Sequence, residues 1–323
     1  MALRNRMWAV GGGKGGVGKS VVTVLVAEAL ARRGVNVVLV DADLGGANLH
    51  TLLGVRNPTQ SLGDFMERRV ESLADVLQPT VVPNLRLITG ADDILGIANL
   101  KFSQKHRLLT HIDRLEADVI LLDLGAGTST TTTDFFLYAA GRIVVVTPQV
   151  TSIQNAYSFI KASLYRKFSR VFTRDPEALE LLAEASNPES GTPIASVGEL
   201  RTALASIDPA YDSLVAQCLE DFDVSLVVNM ARSPRERETG QVVRGVARRY
   251  LDLAPDVIGW IDYDPEVDRA INNMATFLSS HSRSTARLGA YDIALTILKK
   301  IHEPPRVAPE SIFEPELTEA ATE

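Results

Sequence analysis

A chain of 323 residues that is 46% hydrophobic and 23% charged, with a formal net charge of −7, can bury one large core. No apolar run approaches the roughly 18 to 20 residues of a membrane-spanning helix, and Met1-Ala2-Leu3-Arg4-Asn5-Arg6 leads straight into apolar sequence with no cleavage site, so a cytoplasmic protein is expected. The acidic balance argues against sequence-independent DNA binding, and the single cysteine, Cys218, excludes an intrachain disulfide and any two-cysteine metal motif within one subunit.

Met7-Trp8-Ala9-Val10 reads as a short strand and Val21 to Arg33 as a helix that stops at Gly34 with arginines in its last turn. Between them, Gly13, Gly18, Lys19 and Ser20 satisfy the phosphate-loop pattern Gly-x4-Gly-Lys-Ser/Thr. Gly13, Gly15, Gly16, Val17 and Gly18 offer successive backbone N–H groups to phosphate oxygens, an approach that larger side chains would block. Lys19 supplies a point charge for the β- and γ-phosphates, the Ser20 hydroxyl suits Mg2+, and the helix N-terminus adds its positive dipole end. ATP and Mg2+ are therefore the expected ligands. A second lysine, Lys14, stands early in the same loop, where the pattern requires none.

Val35 to Val40 has the β-branched richness of a buried parallel strand and closes on Asp41-Ala42-Asp43. Val119-Ile120-Leu121-Leu122 ends in the same way at Asp123 and runs into Leu124-Gly125-Ala126-Gly127. Carboxylates at the carboxyl ends of parallel strands face the ligand crevice, and Asp123 fits the position that holds Mg2+ directly or through water. Thr130 to Thr133 reads as a helix entrance, since hydroxyls suit N-caps. Ile143 to Thr147 is a further strand, followed by a helix opening at Thr151 or Ser152 whose stripe of Ile153, Tyr157, Ile160 and Leu164 predicts a core face.

The stretch from about 168 to 222 reads as a helical insertion. Pro176 to Ala185 is helical, Asn187 to Pro193 carries dense loop signals, and Val197 to Phe222 resumes helical spacing through Leu200, Leu204, Ile207, Leu214 and Leu219. Partner recognition and lineage-specific packing both fit this insertion. Arg166, Lys167, Arg170 and Arg174, and separately Arg244, Arg248 and Arg249, read as solvated helix faces, with partner docking as the alternative. Cys218 reads as a buried or half-buried hydrophobe. Ser284 to Ile301 forms a last helix with a broad apolar surface, expected against the sheet, and the acidic, proline-bearing stretch 303–323 reads as a disordered tail. One ATPase domain over 1–302 with a tail is the expected organisation. The five histidines are scattered without metal-ligand spacing.

These residues resemble the MinD/ParA class of deviant Walker A ATPases. Lys14 matches the signature lysine that reaches across a nucleotide-sandwich dimer, Asp41 and Asp43 match the switch I Asp-x-Asp, and Asp123 to Gly127 matches switch II, with Gly125 where many members carry proline. The resemblance implies a doubly wound α/β fold, a mostly parallel sheet with helices on both faces, and slow ATP hydrolysis in a homodimer. It assigns catalytic work to Lys14, Lys19 and Asp43, metal binding to Ser20, Asp41 and Asp123, and adenine recognition to Asn229 at the end of Val224 to Ala231.

It also places Gln149 to Asn155 near the dimer contact. Within the class, Asp41 to Leu49, Asn229 to Ser233 and Tyr263 to Val267 are most similar to the FlhG/FleN flagellar-number regulators, which implies spatial or numerical regulation and recruitment to a pole or the inner membrane surface. Relative to those regulators the sequence reads as lacking the amino-terminal partner-activating extension, and the acidic tail does not support a basic membrane-binding helix. An unidentified protein partner, docking through 168–222, is expected. A kinase-like enzyme and a nucleotide-gated scaffold without hydrolysis are the alternative functions.

Overall fold

The computed structural model describes residues 5–43, 46, 49–55, 58–90, 100–186, 194–272 and 284–302. The expected loop at 187–193 and the expected tail from residue 303 lie outside the described residues. The strands are β1 (Met7–Gly11), β2 (Val37–Ala42), β3 (Gln78–Pro79), β4 (Leu85–Ile88), β5 (Val119–Leu124), β6 (Gly141–Val146), β7 (Ser225–Ala231) and β8 (Asp256–Asp262). The helices up to the insertion are α1 (Lys19–Ala31), α2 (Leu49–Leu52), α3 (Leu62–Met66), α4 (Phe102–Asp113), α5 (Thr130–Tyr138) and α6 (Val150–Val171). Beyond it come α7 (Pro176–Ser186), α8 (Val197–Ile207), α9 (Ala210–Glu220), α10 (Pro234–Arg237), α11 (Thr239–Leu251), α12 (Pro265–Asn272) and α13 (Thr285–Ile301).

The strands form one sheet in the order β3-β4-β2-β5-β1-β6-β7-β8, parallel except for the β3–β4 pair. Strands β2, β5 and β6 are buried along their whole length, which their unbroken runs of Val, Ile and Leu require of strands covered on both faces. One face packs α4, α5, α6 and α11 around Phe135, Phe136, Phe159 and Phe168, and the other packs α1 and α13 around Leu25, Leu30, Ile293 and Ile297. This is the doubly wound architecture that the resemblance implies. The strand order reverses across β1, which lies between β5 and β6, so the crevice beyond its carboxyl end is the switch point where such sheets take ligands.

Helices α7, α8 and α9 share the core of the first face, with Leu200, Leu204, Val215 and Cys218 buried in the same cluster as Phe168 and Val144. The helical spacing read over Val197 to Phe222 is in fact two helices. The chain turns at Asp208 and Pro209, where the Asp208 carboxylate accepts the Ala210 N–H at 2.8 Å. The turn resets the phase, leaving Leu214 exposed while Val215 and Cys218 turn inward. In α13 the faces separate cleanly: Ile293, Ile297 and Ile301 are buried, and Leu288 is 65% exposed.

The solvated reading of Arg166, Lys167 and Arg170 is corrected. Asp134 on α5 is fully buried and takes Lys105 of α4 and Arg166 and Arg170 of α6, each at 2.8 Å. Burial pushes the Asp134 carboxyl up, but these cations outweigh it and hold the group below its ordinary range. Burial beside Cys218 brings Lys167 down to about 8. A charge run on one helix says nothing of an acid more than thirty positions away in sequence, which is why spacing alone misjudged it. Replacing Asp134 by Ala removes the buried carboxylate on which three cations converge. Urea unfolding is expected to show a loss of about 3 kcal/mol or more, whereas a loss under about 1 kcal/mol would mean that water already shields them.

Candidate functional site

Strand β1 ends at Gly11, the loop runs from Gly12 to Gly18, and α1 opens at Lys19. Two of its glycines have no room for a side chain. A Cβ at Gly13 would lie 2.0 Å from the Asn155 carbonyl oxygen of α6, and one at Gly18, where φ is +82°, would lie 2.3 Å from Asn229 Nδ2. Gly15 and Gly16 are exposed, as is Lys14, while Val17 is buried. The loop is thus pressed between α6 and β7 at its two ends and open at its crown.

Lys19 points the other way and is 8% exposed. Burial lowers the pKa of its ammonium, and Asp123 and Asp43 pull it back up. Asp123 at the end of β5 and Asp41 at the end of β2 are paired in register. Burial pushes the Asp123 carboxyl up to about 6 against the hydroxyl of Ser20, the charge of Lys19 and the hydroxyl of Thr23, whose Oγ1 lies 3.1 Å away. Burial likewise pushes Asp41 up to about 7, although its two oxygens accept the N–H groups of Leu49 at 3.0 Å and Asp43 at 3.3 Å. Asp41 therefore ties together both ends of the segment that carries Asp43.

Asp43 is half-buried and lies against Gly125, where a Cβ would come within 2.8 Å of its Oδ1. The segments after β2 and β5 touch at this point, so the glycine at 125 is what lets the carboxylate sit there. Asn229, 3% exposed, donates its Nδ2–H to the Val17 carbonyl at 2.9 Å. The expected site residues thus gather at one end of the sheet, with Lys14 outside on the exposed crown and Asn229 beneath the loop. Thr23 was missed by sequence reasoning, and its signal was available: it stands one helical turn after Lys19, on the face that the lysine shares.

Three carboxylates, two hydroxyls and one buried ammonium suit a divalent cation with a polyphosphate. Among the described residues no three carboxylate, imidazole or thiol groups converge on a point that would hold a metal by themselves. Mg2+ keeps water and phosphate ligands and uses only one or two protein oxygens. Ser20 and Asp123 could hold it, with the Asp41 carboxylate beside Asp123.

The ParA family model, described as that of the NUBPL iron-transfer P-loop NTPase, matches residues 4–167. The antiactivator FleN of Pseudomonas aeruginosa is 30% identical over 88% of this chain and 84% of its own. The septum site-determining protein MinD of Pyrococcus horikoshii, solved with Mg-ADP, is 19% identical, with a TM-score of 0.62 over 92% of this chain and 97% of that one. The MinC:MinD cell division complex of Aquifex aeolicus gives 21% identity and a TM-score of 0.58 over 91% and 96%. These last two likenesses concern the fold.

Burial raises Asp41 and Asp123 above the roughly 3.9 of an unfolded aspartate, so their contribution to stability is full below about pH 4 and is lost as pH rises through 6 and 7. A cation held at Asp123, beside Asp41, favours the ionised forms and offsets that loss. Mg2+ is therefore expected to raise the Tm by roughly 3 °C or more at pH 8 and by much less at pH 5.5. An equal shift at both values would mean that these carboxylates do not meet the metal.

Proposed function

Because the chain belongs to the ParA/MinD family of P-loop ATPases, we propose that it binds Mg·ATP, pairs with a second copy of itself in that state and hydrolyses ATP slowly, and that this cycle sets the position or number of a cellular structure. The division of labour between the two lysines carries the reading: Lys19 is buried among the carboxylates, and Lys14 is exposed on the crown of the loop. A lysine beside its own subunit's phosphates needs no such exposure; one that serves a partner's does.

The surface around Lys14 supports pairing. Gly15 and Gly16 beside this lysine are exposed and uncharged, as are Val150 and Gln154 on α6, the helix whose Asn155 backbone meets Gly13, so the loop presents no charge but that of Lys14 to a second copy. In this reading Gly13 to Ser20 cradle the phosphates, Lys19 neutralises charge on the transferring group, and Ser20 and Asp123 hold Mg2+. A metal bound there would supply charge neutralisation to the phosphates. Asp41 fixes the segment that carries Asp43, Asp43 orients the attacking water, and Lys14 completes the partner's site. Asn229 spends one of its two amide hydrogens on Val17 and keeps an oxygen that accepts a donor such as the amino group of adenine.

The similarity to an antiactivator and to division-site proteins supports a regulatory role in the cytoplasm, with recruitment to a pole or to the inner face of a membrane. None of the described helices is long and apolar enough to cross a membrane. A MinD solved with MinC supports the further expectation of a protein partner, for which α7, α8 and α9 offer the surface. The buried Cys218, its thiol raised by burial to about 11, offers no paired thiolates for an iron–sulfur cluster.

Lys14→Ala is expected to retain nucleotide binding and to lower hydrolysis by about tenfold or more, whereas Lys19→Ala loses binding as well. Release of phosphate and binding of a fluorescent ATP analogue measure the two effects. Wild-type turnover in Lys14→Ala would remove the partner-serving role, and a phosphorylated acceptor in place of free phosphate would make the protein a kinase-like enzyme.

A further inference from the structure

The last residues of β7 contain a backbone irregularity that the reading above does not use. Asn229 pairs with Ile261 and Ala231 with Asp262, so Met230 is an extra residue on β7, a bulge against β8. Its φ is +60°, in the left-handed region that a non-glycine residue occupies only when its surroundings impose it. Bulge residues with this backbone are ordinarily glycine, which adopts it without strain. A methionine here keeps a side chain at the expense of backbone comfort.

That side chain meets the phosphate loop. Met230 Cε lies 3.3 Å from where a Cβ of Gly18 would stand, beside the Asn229 amide that binds the Val17 carbonyl. The Val17–Gly18 peptide is thus held by Asn229 on its oxygen, with Met230 Cε against the side of Gly18 where a Cβ would stand. A trans peptide points its C=O and N–H in opposite directions, so a carbonyl drawn towards β7 turns the Gly18 N–H into the hollow of the loop. Gly18 has no Cβ and offers no resistance of its own to a flip of this peptide, which would aim the carbonyl oxygen at the phosphates in place of the N–H.

We infer that Met230 is a positioning residue whose strained bulge latches the Val17–Gly18 peptide, and so keeps the Gly18 N–H aimed at the nucleotide's phosphates. The inference rests on the ATP-binding role proposed above. It touches neither the metal carboxylates nor the lysines.

The test compares Met230→Gly and Met230→Leu with wild type in the full chain, reading the Kd of a fluorescent ATP analogue with Mg2+ and the Tm without nucleotide. Met230→Gly relieves the backbone and removes the side chain, so the Tm is expected to hold or rise while affinity falls about fivefold, roughly the effect of one misaligned phosphate donor. Met230→Leu keeps the contact and is expected to stay within about twofold of wild type. Wild-type affinity in Met230→Gly overturns the latch, as does an affinity loss that only follows a drop in Tm. A wild-type protein that binds no ATP analogue would instead overturn the ATP-binding role itself, which separates the two failures.

Discussion

Everything at the functional end of this molecule is organised around a charge problem: Lys19, Asp41 and Asp123 are almost wholly removed from water within one site. The parallel sheet forces them together. Strands β2 and β5 are in register, so the aspartates that end them stand side by side, and β1 beside β5 delivers the loop and Lys19 to the same spot. One ammonium does not neutralise two buried carboxylates, and the result is visible in Asp41 and Asp123, both raised well above the ordinary range, first of all by burial. A site that resists ionisation in the absence of a cation is one that gains when the cation and its phosphates arrive.

The remainder of the crevice holds the loop in shape for that event. Gly13 is flush with the backbone of α6 and Gly18 with Asn229 of β7, so the loop cannot shift without moving a helix or a strand. Helix α6 is fixed in turn through Arg166 and Arg170 on Asp134 of α5, and α5 begins just after the segment that carries Gly125 and Gly127. The loop, the segment after β5 and the buried ion cluster thus adjoin one another along α5 and α6. Lys14 and the uncharged crown lie at the loop's open side, which suits a surface meant for another subunit.

Most of this end was legible in the sequence because its signals are local. Glycine spacing, a lysine followed by a hydroxyl, and aspartates closing apolar runs identify chemistry without knowledge of the fold. What escaped was non-local or weakly patterned. The four-residue β4 and the antiparallel β3 have too little periodicity to be read as strands. The ion cluster on Asp134 joins three helices, and no spacing rule links Lys105 to Arg170. The break at Pro209 split a run of helical spacing into α8 and α9, and Val215 replaced Leu214 as the inward residue. The bulge at Met230 is invisible in sequence, since methionine carries none of glycine's signature for a left-handed backbone.

The central claim is that nucleotide converts this chain into a dimer. Light scattering of an Asp43→Ala variant, in which turnover is expected to be blocked, measures that conversion directly with and without Mg·ATP. The mass is expected to rise from the 35.0 kDa of one chain to twice that value only when Mg·ATP is present. A mass that stays at one chain under saturating Mg·ATP, with nucleotide shown to be bound, would contradict it.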